Sequence, residues 1–501
     1  MMRNCLPGMA LAVWFICLSG RATGLDDIGV NLLRSVTTNL DGAGIRVAQP
    51  EASAPTFEVD PAATGQPEFL FTYRSAAGEA SNYPNSVGTN SDHAGWVGAT
   101  FYGRPGGVAT NVAHVDSYDA DFFITNYVDT LAPMPPASVV NQSFTFGVLA
   151  VPDQQGVDSA YDDYADLFAT CFVSAACNSN ISFQVCAPGT AYNCISVGAY
   201  YSGGYYNSIG PTLDNGRCKP DITAISSATS FSTPQVAGAV ALLQQAALRG
   251  DGGSDTNAAF DLRTIKALLL NGAVKPLGWT NSAAAPLDYR HGAGVVNVFN
   301  AYEQLTGGEH PADAAGPIGA LSGWNFTSLA SDAMNDATNR YLFDVADGGA
   351  TATLVWNRQL GQTNINDLDL FLCNSGGQPV RCSTSRVDNV EHIFVPRLPA
   401  GRYELRVVKN GGTNVVSEAE SYALAWAFGS PTLALVAVGG EVELSWPLYP
   451  AGFGVEAAAT LTAPLWGTNH LPASVVTNSR NSLWLKATNA VQFFRLRQPN
   501  L

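Results

Sequence analysis

The sequence predicts an α/β domain built on a parallel sheet, followed by an all-β sandwich and a small all-β module. A buried helix is indicated after residue 228, where apolar side chains recur at steps of four, three and four: Val236, Val240, Leu243 and Ala247. Gly250, just beyond that run, is typical of a helix end. From about residue 324 the apolar period changes to two, which indicates strands; Tyr403, Leu405 and Val407 illustrate it.

Composition narrows the class of protein before any motif is considered. The 501 residues exceed what one hydrophobic core supports, so several domains are expected. The formal net charge of −16 argues against a nucleic-acid partner, because phosphate binding requires Lys and Arg. Only 13% of the residues are charged and 46% are hydrophobic, which is typical of a compact chain rather than a disordered one. We expect a monomer.

The chain divides into five segments. Residues 1–24 have the features of a secretory signal peptide: Arg3, an apolar run over residues 9–18, and small residues before a cleavage point. That run is too short to cross a bilayer, so we expect a secreted, extracellular protein without a membrane span. The α/β domain is expected over residues 25–305, a linker rich in Gly, Pro and Ala over 306–323, the sandwich over 324–428 and the module over 429–501.

Ser230 lies where the predicted helix begins, within the run Ala228-Thr229-Ser230-Phe231-Ser232-Thr233-Pro234-Gln235-Val236-Ala237-Gly238. A hydroxyl at this point is exposed to the positive end of the helix dipole, and its backbone N–H is free to face a developing oxyanion. Pro234 is expected near the first turn, where the missing N–H is tolerated. The alternative is an ordinary Ser/Thr-rich cap before a structural helix.

The 228–238 run resembles the nucleophile motif Gly-Thr-Ser-Met-Ala-x-Pro-His-Val-Ala-Gly of the subtilisin-like serine proteases, the subtilases. Three further blocks are similar to that family in its chain order: residues 90–99, 173–178 and 208–221. The resemblance covers roughly residues 40–303. It implies a subtilisin-like fold, Ser230 as nucleophile, His93 as base and Asn178 as oxyanion donor. For Asn178, use in a turn after a buried strand is the alternative.

The orienting acid departs from the family pattern. The segment 42–52 matches the strand that ends in the catalytic Asp, but Glu51 stands at that position. Glu can hold an imidazole as Asp does, although its side chain is longer by one bond, about 1.5 Å. Asp60 and Asp92 are the rival carboxylates. A degenerate, inactive triad would make the protein a binding scaffold, whereas acidic relatives that replace the histidine are disfavoured because His93 is present.

Protein or peptide substrates are the expected partners. Asn141-Gln142-Ser143-Phe144-Thr145 is similar to the subtilase strand that pairs with bound peptide, which nominates Ser143, Phe144 and Thr145. The facing strand nominates Ser174 and Ala175. The alternative is that both segments are plain interior strands.

Cysteines and acidic pairs add two expectations. Cys373 and Cys382 flank a turn and are expected to pair, as export permits. The pairing of the five cysteines between residues 171 and 218 stays open, and they lack a zinc pattern. No cofactor is required by the chemistry. Structural calcium could be held by residues 366–370 and 388–391, which resemble parts of a jelly-roll sandwich; the alternative is turn caps.

Overall fold

A computed structural model describes residues 24–498 apart from 53, 179–183, 202–203, 206, 333, 413–414, 463, 469–470, 479 and 488–490. The predicted signal peptide therefore lies almost wholly outside the described residues. Within them, no helix is both long enough and apolar enough to cross a membrane.

The first part of the chain mixes helices and strands. Its helices are α1 (Val30–Val36), α2 (Pro61–Thr64), α3 (Asp92–Phe101), α4 (Ala120–Phe123), α5 (Val151–Phe168), α6 (Thr229–Leu248), α7 (Thr256–Phe260), α8 (Leu262–Asn271) and α9 (Val298–Thr306). Its strands are β1 (Arg46–Glu51), β2 (Thr56–Glu58), β3 (Phe71–Ser75), β4 (Gly78–Ala80), β5 (Thr89–Asn90), β6 (His114–Asp119), β7 (Val139–Gln142), β8 (Cys171–Ala175), β9 (Ile195–Tyr201), β10 (Gly204–Tyr205) and β11 (Ile222–Ile225).

The central sheet confirms the predicted α/β class. Its described strands run in the order β10, β9, β8, β7, β1, β6, β3 and β4, and β11 pairs with β9. Strand pairs from β9 through β3 are parallel, while β4 and β10 are antiparallel edges. Strand order reverses at β1, since the chain proceeds to β3 and β6 on one side and to β7 and β8 on the other. Such a switch point opens a crevice at the carboxyl ends of the strands.

Helix α6 is the buried helix that the sequence predicts. Almost all of its side chains are buried, against the sheet and against α3, so it forms the middle of the core. It begins at Thr229 and its last turn is followed by Gly250 at a φ of 79°. Pro234 lies inside the helix rather than in its first turn, which corrects the expectation and leaves one carbonyl in need of another donor.

The second part of the chain is all-β, as predicted. The sandwich strands are β12 (Ser322–Ala330), β13 (Ala337–Val345), β14 (Gly348–Trp356), β15 (Leu368–Asn374), β16 (Pro379–Ser383), β17 (Val390–Leu398), β18 (Gly401–Lys409) and β19 (Ala419–Phe428). In the part of the sandwich that the structure describes, these strands form two antiparallel sheets, in the orders β12-β19-β14-β17 and β13-β18-β15-β16. Trp356, Trp426 and Phe343 fill the space between them.

The last part is the small module. Its strands are β20 (Ala434–Val438), β21 (Glu441–Pro447), β22 (Gly454–Ala458), β23 (Val475–Thr477), β24 (Arg480–Lys486) and β25 (Phe493–Arg497). Among the described residues of the module, these strands form two sheets, in the orders β20-β21-β24-β23 and β22-β25. The domain bounds given above stay predictions, although the change from mixed to all-β elements falls after α9.

The sandwich packs directly onto the α/β domain. Strands β14 and β19 lie against α8, and Trp324 of the sandwich belongs to the α/β core. Asn271 at the end of α8 accepts hydrogen bonds from the hydroxyls of Thr351 and Thr353, at 2.9 and 3.0 Å. Arg358 forms an ion pair with Asp162 at 3.3 Å, and both side chains are buried. The sandwich and the α/β domain therefore share a packed interface and are not connected by a flexible linker alone.

The predicted bond between Cys373 and Cys382 is wrong, because both thiols are free. Strand register explains this: Cys382 lies opposite Phe371 and Cys373 lies opposite Pro379, with a bulge between them.

The calcium expectation stays a prediction. Asp388 already accepts hydrogen bonds from the Cys218 amide and the Ser385 hydroxyl, so its carboxylate fits the domain interface better than a cation site. No group of three or more metal-binding side chains occurs among the residues that the structure describes.

Candidate active site

Four segments meet above the carboxyl ends of the central strands. Glu51 is the last residue of β1, and Asn178 follows β8. His93 and Ser230 are each the second residue of a helix, α3 and α6. Because α3 packs against α6, and α6 packs against the central sheet, residues far apart in sequence come to one place.

Glu51 contacts the ring of His93. The distance from His93 Nδ1 to Glu51 Oε2 is 3.0 Å, with the carboxylate buried and the imidazole about one-third exposed (3% and 35%). Burial lowers the pKa of His93, but the hydrogen bond and charge of Glu51 outweigh it and leave that pKa raised. Burial also raises the pKa of Glu51, and His93 with the Ala52 backbone amide offsets only part of that rise.

The rival carboxylates lie elsewhere. Asp60 caps α2, where its side chain accepts a hydrogen bond from the Ala62 amide. Asp92 accepts a hydrogen bond from the Asn90 side chain at 3.1 Å. The carboxylate on the imidazole is therefore that of Glu51, and its extra methylene is accommodated at the end of β1.

A cavity of about 400 Å³ joins the predicted site residues. Ser230 and His93 both line it, and Ser230 is 8% exposed. The ring of Phe231 lies 5.8 Å from that of His93, between centroids, and 6.4 Å from that of Trp96. The cavity is lined by His93, Trp96, Ser143, Phe144, Thr145, Ala175, Cys177, Asn178, Ala228, Thr229, Ser230 and Phe231.

The side chain of Asn178 is oriented by the start of α6. Its Oδ1 accepts hydrogen bonds from the Thr229 backbone N–H at 2.7 Å and from the Thr229 hydroxyl at 2.9 Å. Since the amide oxygen is occupied in this way, the amide N–H groups are left to serve as donors. This is the arrangement that an oxyanion donor beside Ser230 requires.

Ser143 fills the gap that Pro234 leaves in α6. A proline has no N–H, so it cannot donate to the carbonyl four residues earlier, which is that of Ser230. The Ser143 hydroxyl donates to this carbonyl at 2.9 Å and accepts from the Asn141 amide at 3.1 Å. Ser143 therefore braces the backbone of Ser230, in addition to lying on the cavity wall.

The other predicted substrate contacts divide into two groups. Phe144, Thr145 and Ala175 line the cavity, the first two just beyond the end of β7. Ser174 instead donates its hydroxyl to Gln142 within the sheet, at 2.8 Å. The catalytic and substrate-binding roles assigned to these residues stay predictions.

One positioning residue was not predicted from sequence. Gln49 of β1 donates to the Ala94 carbonyl in the first turn of α3 at 3.0 Å and accepts from the Tyr102 hydroxyl at 2.7 Å. It thereby ties the histidine helix to the strand that carries Glu51. A buried polar residue two positions before the candidate acid was the available signal.

Comparison with known proteins agrees with this site. Residues 122–294 match the family model described as the subtilase family, a segment that includes Asn178 and Ser230. Glu51 and His93 precede the matched segment, so their assignment depends on the geometry above. Within the chain, residues 122–294 are therefore a segment of the subtilase type.

Solved structures show distant likenesses. The prenylagaramide maturation protease PagA is 19% identical over 56% of this chain and 99% of its own, with a TM-score of 0.39. A serine protease of Aeromonas sobria is 15% identical over 93% of this chain and 90% of its own, with a TM-score of 0.39. A cold-adapted subtilisin-like serine proteinase is 19% identical over 52% of this chain and 89% of its own, with a TM-score of 0.31.

Proposed function

We propose that the protein is a secreted endopeptidase that cleaves peptide bonds through an acyl-enzyme, with Glu51 in place of the usual triad Asp. The observation that supports it best is the 3.0 Å contact between Glu51 and the His93 ring, beside the cavity that Ser230 lines. A buried carboxylate on Nδ1 fixes the tautomer in which Nε2 can accept a proton.

In the proposed mechanism, His93 removes the proton from Ser230 Oγ as that oxygen attacks the peptide carbonyl. The tetrahedral oxyanion accepts hydrogen bonds from the Asn178 side chain and from the Ser230 backbone N–H. Protonated His93 then donates to the leaving amine, and a water molecule activated by the same imidazole hydrolyses the ester. Glu51 stabilises the imidazolium in both steps and does not itself take the proton.

Active-site labelling tests the proposal. A fluorophosphonate should label the wild-type protein at Ser230, and Ser230→Ala should abolish both the labelling and casein hydrolysis. Glu51→Gln should lower kcat much more than it changes KM, because the lost interaction acts on the charged transition state. Asp92→Asn is the matched control: it removes a carboxylate beside His93 that bonds elsewhere, and should retain activity.

Two outcomes would contradict the proposal. A folded, processed protein that binds peptide but neither labels nor hydrolyses would be a scaffold with a degenerate triad. Equal losses in Glu51→Gln and Asp92→Asn would remove the special role of Glu51. Export is tested separately, by N-terminal sequencing of protein recovered from the medium, which should begin close to residue 25.

A further inference from the structure

Two cysteines lie close together beside the cavity that Ser230 lines, and one of them belongs to its wall. Cys177 lines the cavity and directly precedes Asn178. The Cys186 amide donates to the Ala176 carbonyl at 3.4 Å, which places the two backbone segments side by side. Both thiols are free, and they lie near enough to each other that each shifts the pKa of the other. Neighbouring backbones that bring two thiols together provide the approach that a disulfide requires.

Cys177 is held on several sides in a backbone conformation that favours glycine. Its φ is 86°, a strained value for a residue with a side chain. Its carbonyl accepts a hydrogen bond from the Ser208 backbone N–H at 2.8 Å. The backbone of Cys177 is therefore held in place beside the segment that carries Cys186.

The electrostatics distinguish Cys177 from the buried cysteines of the same domain. Interaction with the Cys186 thiol lowers the pKa of the Cys177 thiol, in spite of burial. Burial raises the pKa of Cys171 to about 12 and also raises that of Cys194. Because a thiolate is the species that attacks a disulfide, Cys177 is the member of this set suited to exchange chemistry.

We propose that Cys177 and Cys186 are a redox pair whose disulfide fixes the backbone that presents Asn178. The bond would join Cys177, the residue before Asn178, to the neighbouring segment that carries Cys186. Its effect on turnover rests on the proposed function, because only there does Asn178 act as an oxyanion donor. Its formation does not depend on that function.

The chemistry is thiol–disulfide exchange with a small-molecule disulfide. The Cys177 thiolate attacks one sulfur of oxidised glutathione, forms a mixed disulfide and releases one glutathione thiolate. Cys186 then loses its proton to solvent and attacks the Cys177 sulfur, which expels the second glutathione. Two protein thiols are oxidised by two electrons, and one external disulfide is reduced to two thiols.

Peptide mapping tests whether the bond forms. Chymotryptic cleavage after Phe172, Phe183 and Tyr192 would place the two cysteines on separate peptides, 173–183 and 184–192. Across a series of glutathione redox buffers, we expect these peptides to appear linked under oxidising conditions and separately alkylated under reducing ones. The proposal is overturned if both remain singly alkylated throughout the series, or if either links preferentially to a third cysteine.

Two readouts test what the bond does. Amide hydrogen exchange in peptide 173–183 should be slower in the oxidised protein, whether or not Ser230 is intact. For the active enzyme, reduction should lower kcat about 3- to 10-fold with little change in KM, since small displacements of an oriented group cost rate. Unchanged exchange or unchanged kcat between linked and reduced forms would overturn the proposal.

Variants separate this proposal from the proposed function. Cys177→Gly suits the positive φ, and Cys186→Ser keeps a hydrogen-bonding group; both should have the reduced enzyme's kcat and ignore the redox buffer. Cys382→Ser, in the sandwich, is the matched control and should keep the redox response. If Ser230→Ala protein forms the linked peptide with slowed exchange while the wild type hydrolyses nothing, the redox pair stands and the proposed function falls.

Discussion

The hydrogen bond from Ser143 to the Ser230 carbonyl gives the sharpest test of how α6 holds the proposed nucleophile. The carbonyl is buried, and Pro234 removes the helix N–H that would have satisfied it. A buried acceptor left without a donor costs about 1–3 kcal/mol. At about 2–4 °C per kcal/mol, Ser143→Ala should lower Tm by about 2–12 °C.

Pro234→Ala is the matched background. It restores an N–H that can donate to the same carbonyl, and a carbonyl oxygen can accept two hydrogen bonds. In that background, Ser143→Ala should cost about 1 kcal/mol or less, because one donor remains. The two substitutions should therefore show a coupling energy of about 1–2 kcal/mol.

The assay is a double-mutant cycle on thermal unfolding, with kcat and KM measured for all four proteins. Ser143→Ala should also lower kcat in the wild-type background and recover in the Pro234→Ala background. An equal loss of Tm in both backgrounds would refute the bracing role. A rise in KM with unchanged Tm in both would instead identify Ser143 as a direct contact to substrate.

Four further predictions concern the site and the domain interface. Glu51→Asp should withdraw the carboxylate from the His93 ring by about 1.5 Å and raise the activation free energy by about 1.5–3 kcal/mol, so kcat should fall about 10- to 150-fold. A kcat equal to that of the wild type would contradict the geometry. Because the pKa of His93 is raised above 6.5, kcat/KM in a pH–rate profile should rise with pH at values above 6.5, and Glu51→Gln should shift this rise to lower pH. The contribution of the Glu51 contact to folding stability is fully present below pH 6.5 and declines as the pH rises through the raised pKa. Phe231→Ala should lower kcat by freeing the imidazole, and Phe231→Met should retain most of it in the same assay. Arg358→Ala should destabilise the protein by about 3–5 kcal/mol in urea unfolding, and adding Asp162→Asn should recover part of that loss, because the buried charge is then no longer unpaired.

Local sequence signals predicted much of the fold. The spacing of apolar residues after Ser230 predicted α6, and Gly250 indicated where that helix ends. The alternation around Tyr403 likewise predicted β18, because one face of a sandwich strand is solvated. Glu51 was placed at a strand end by its motif position, and the structure puts it there.

What could not be predicted depends on contacts between distant segments. Ser143 and Pro234 are separated by 91 positions, and nothing near either residue indicates that one compensates for the other. Cys373 and Cys382 lie close in sequence, yet a bulge changes their partners across the hairpin. The proximity of Cys177 and Cys186 is also a tertiary result, since cysteine spacing does not determine connectivity.

The site is held together by supports that lie one contact behind the reacting groups. Gln49 joins β1 to α3, Thr229 orients Asn178, and Ser143 satisfies the carbonyl of Ser230. Each support ties one segment of the site to another. Substituting a support should therefore lower kcat in proportion to how far the segment that it holds can shift, while leaving the proposed reaction steps unchanged.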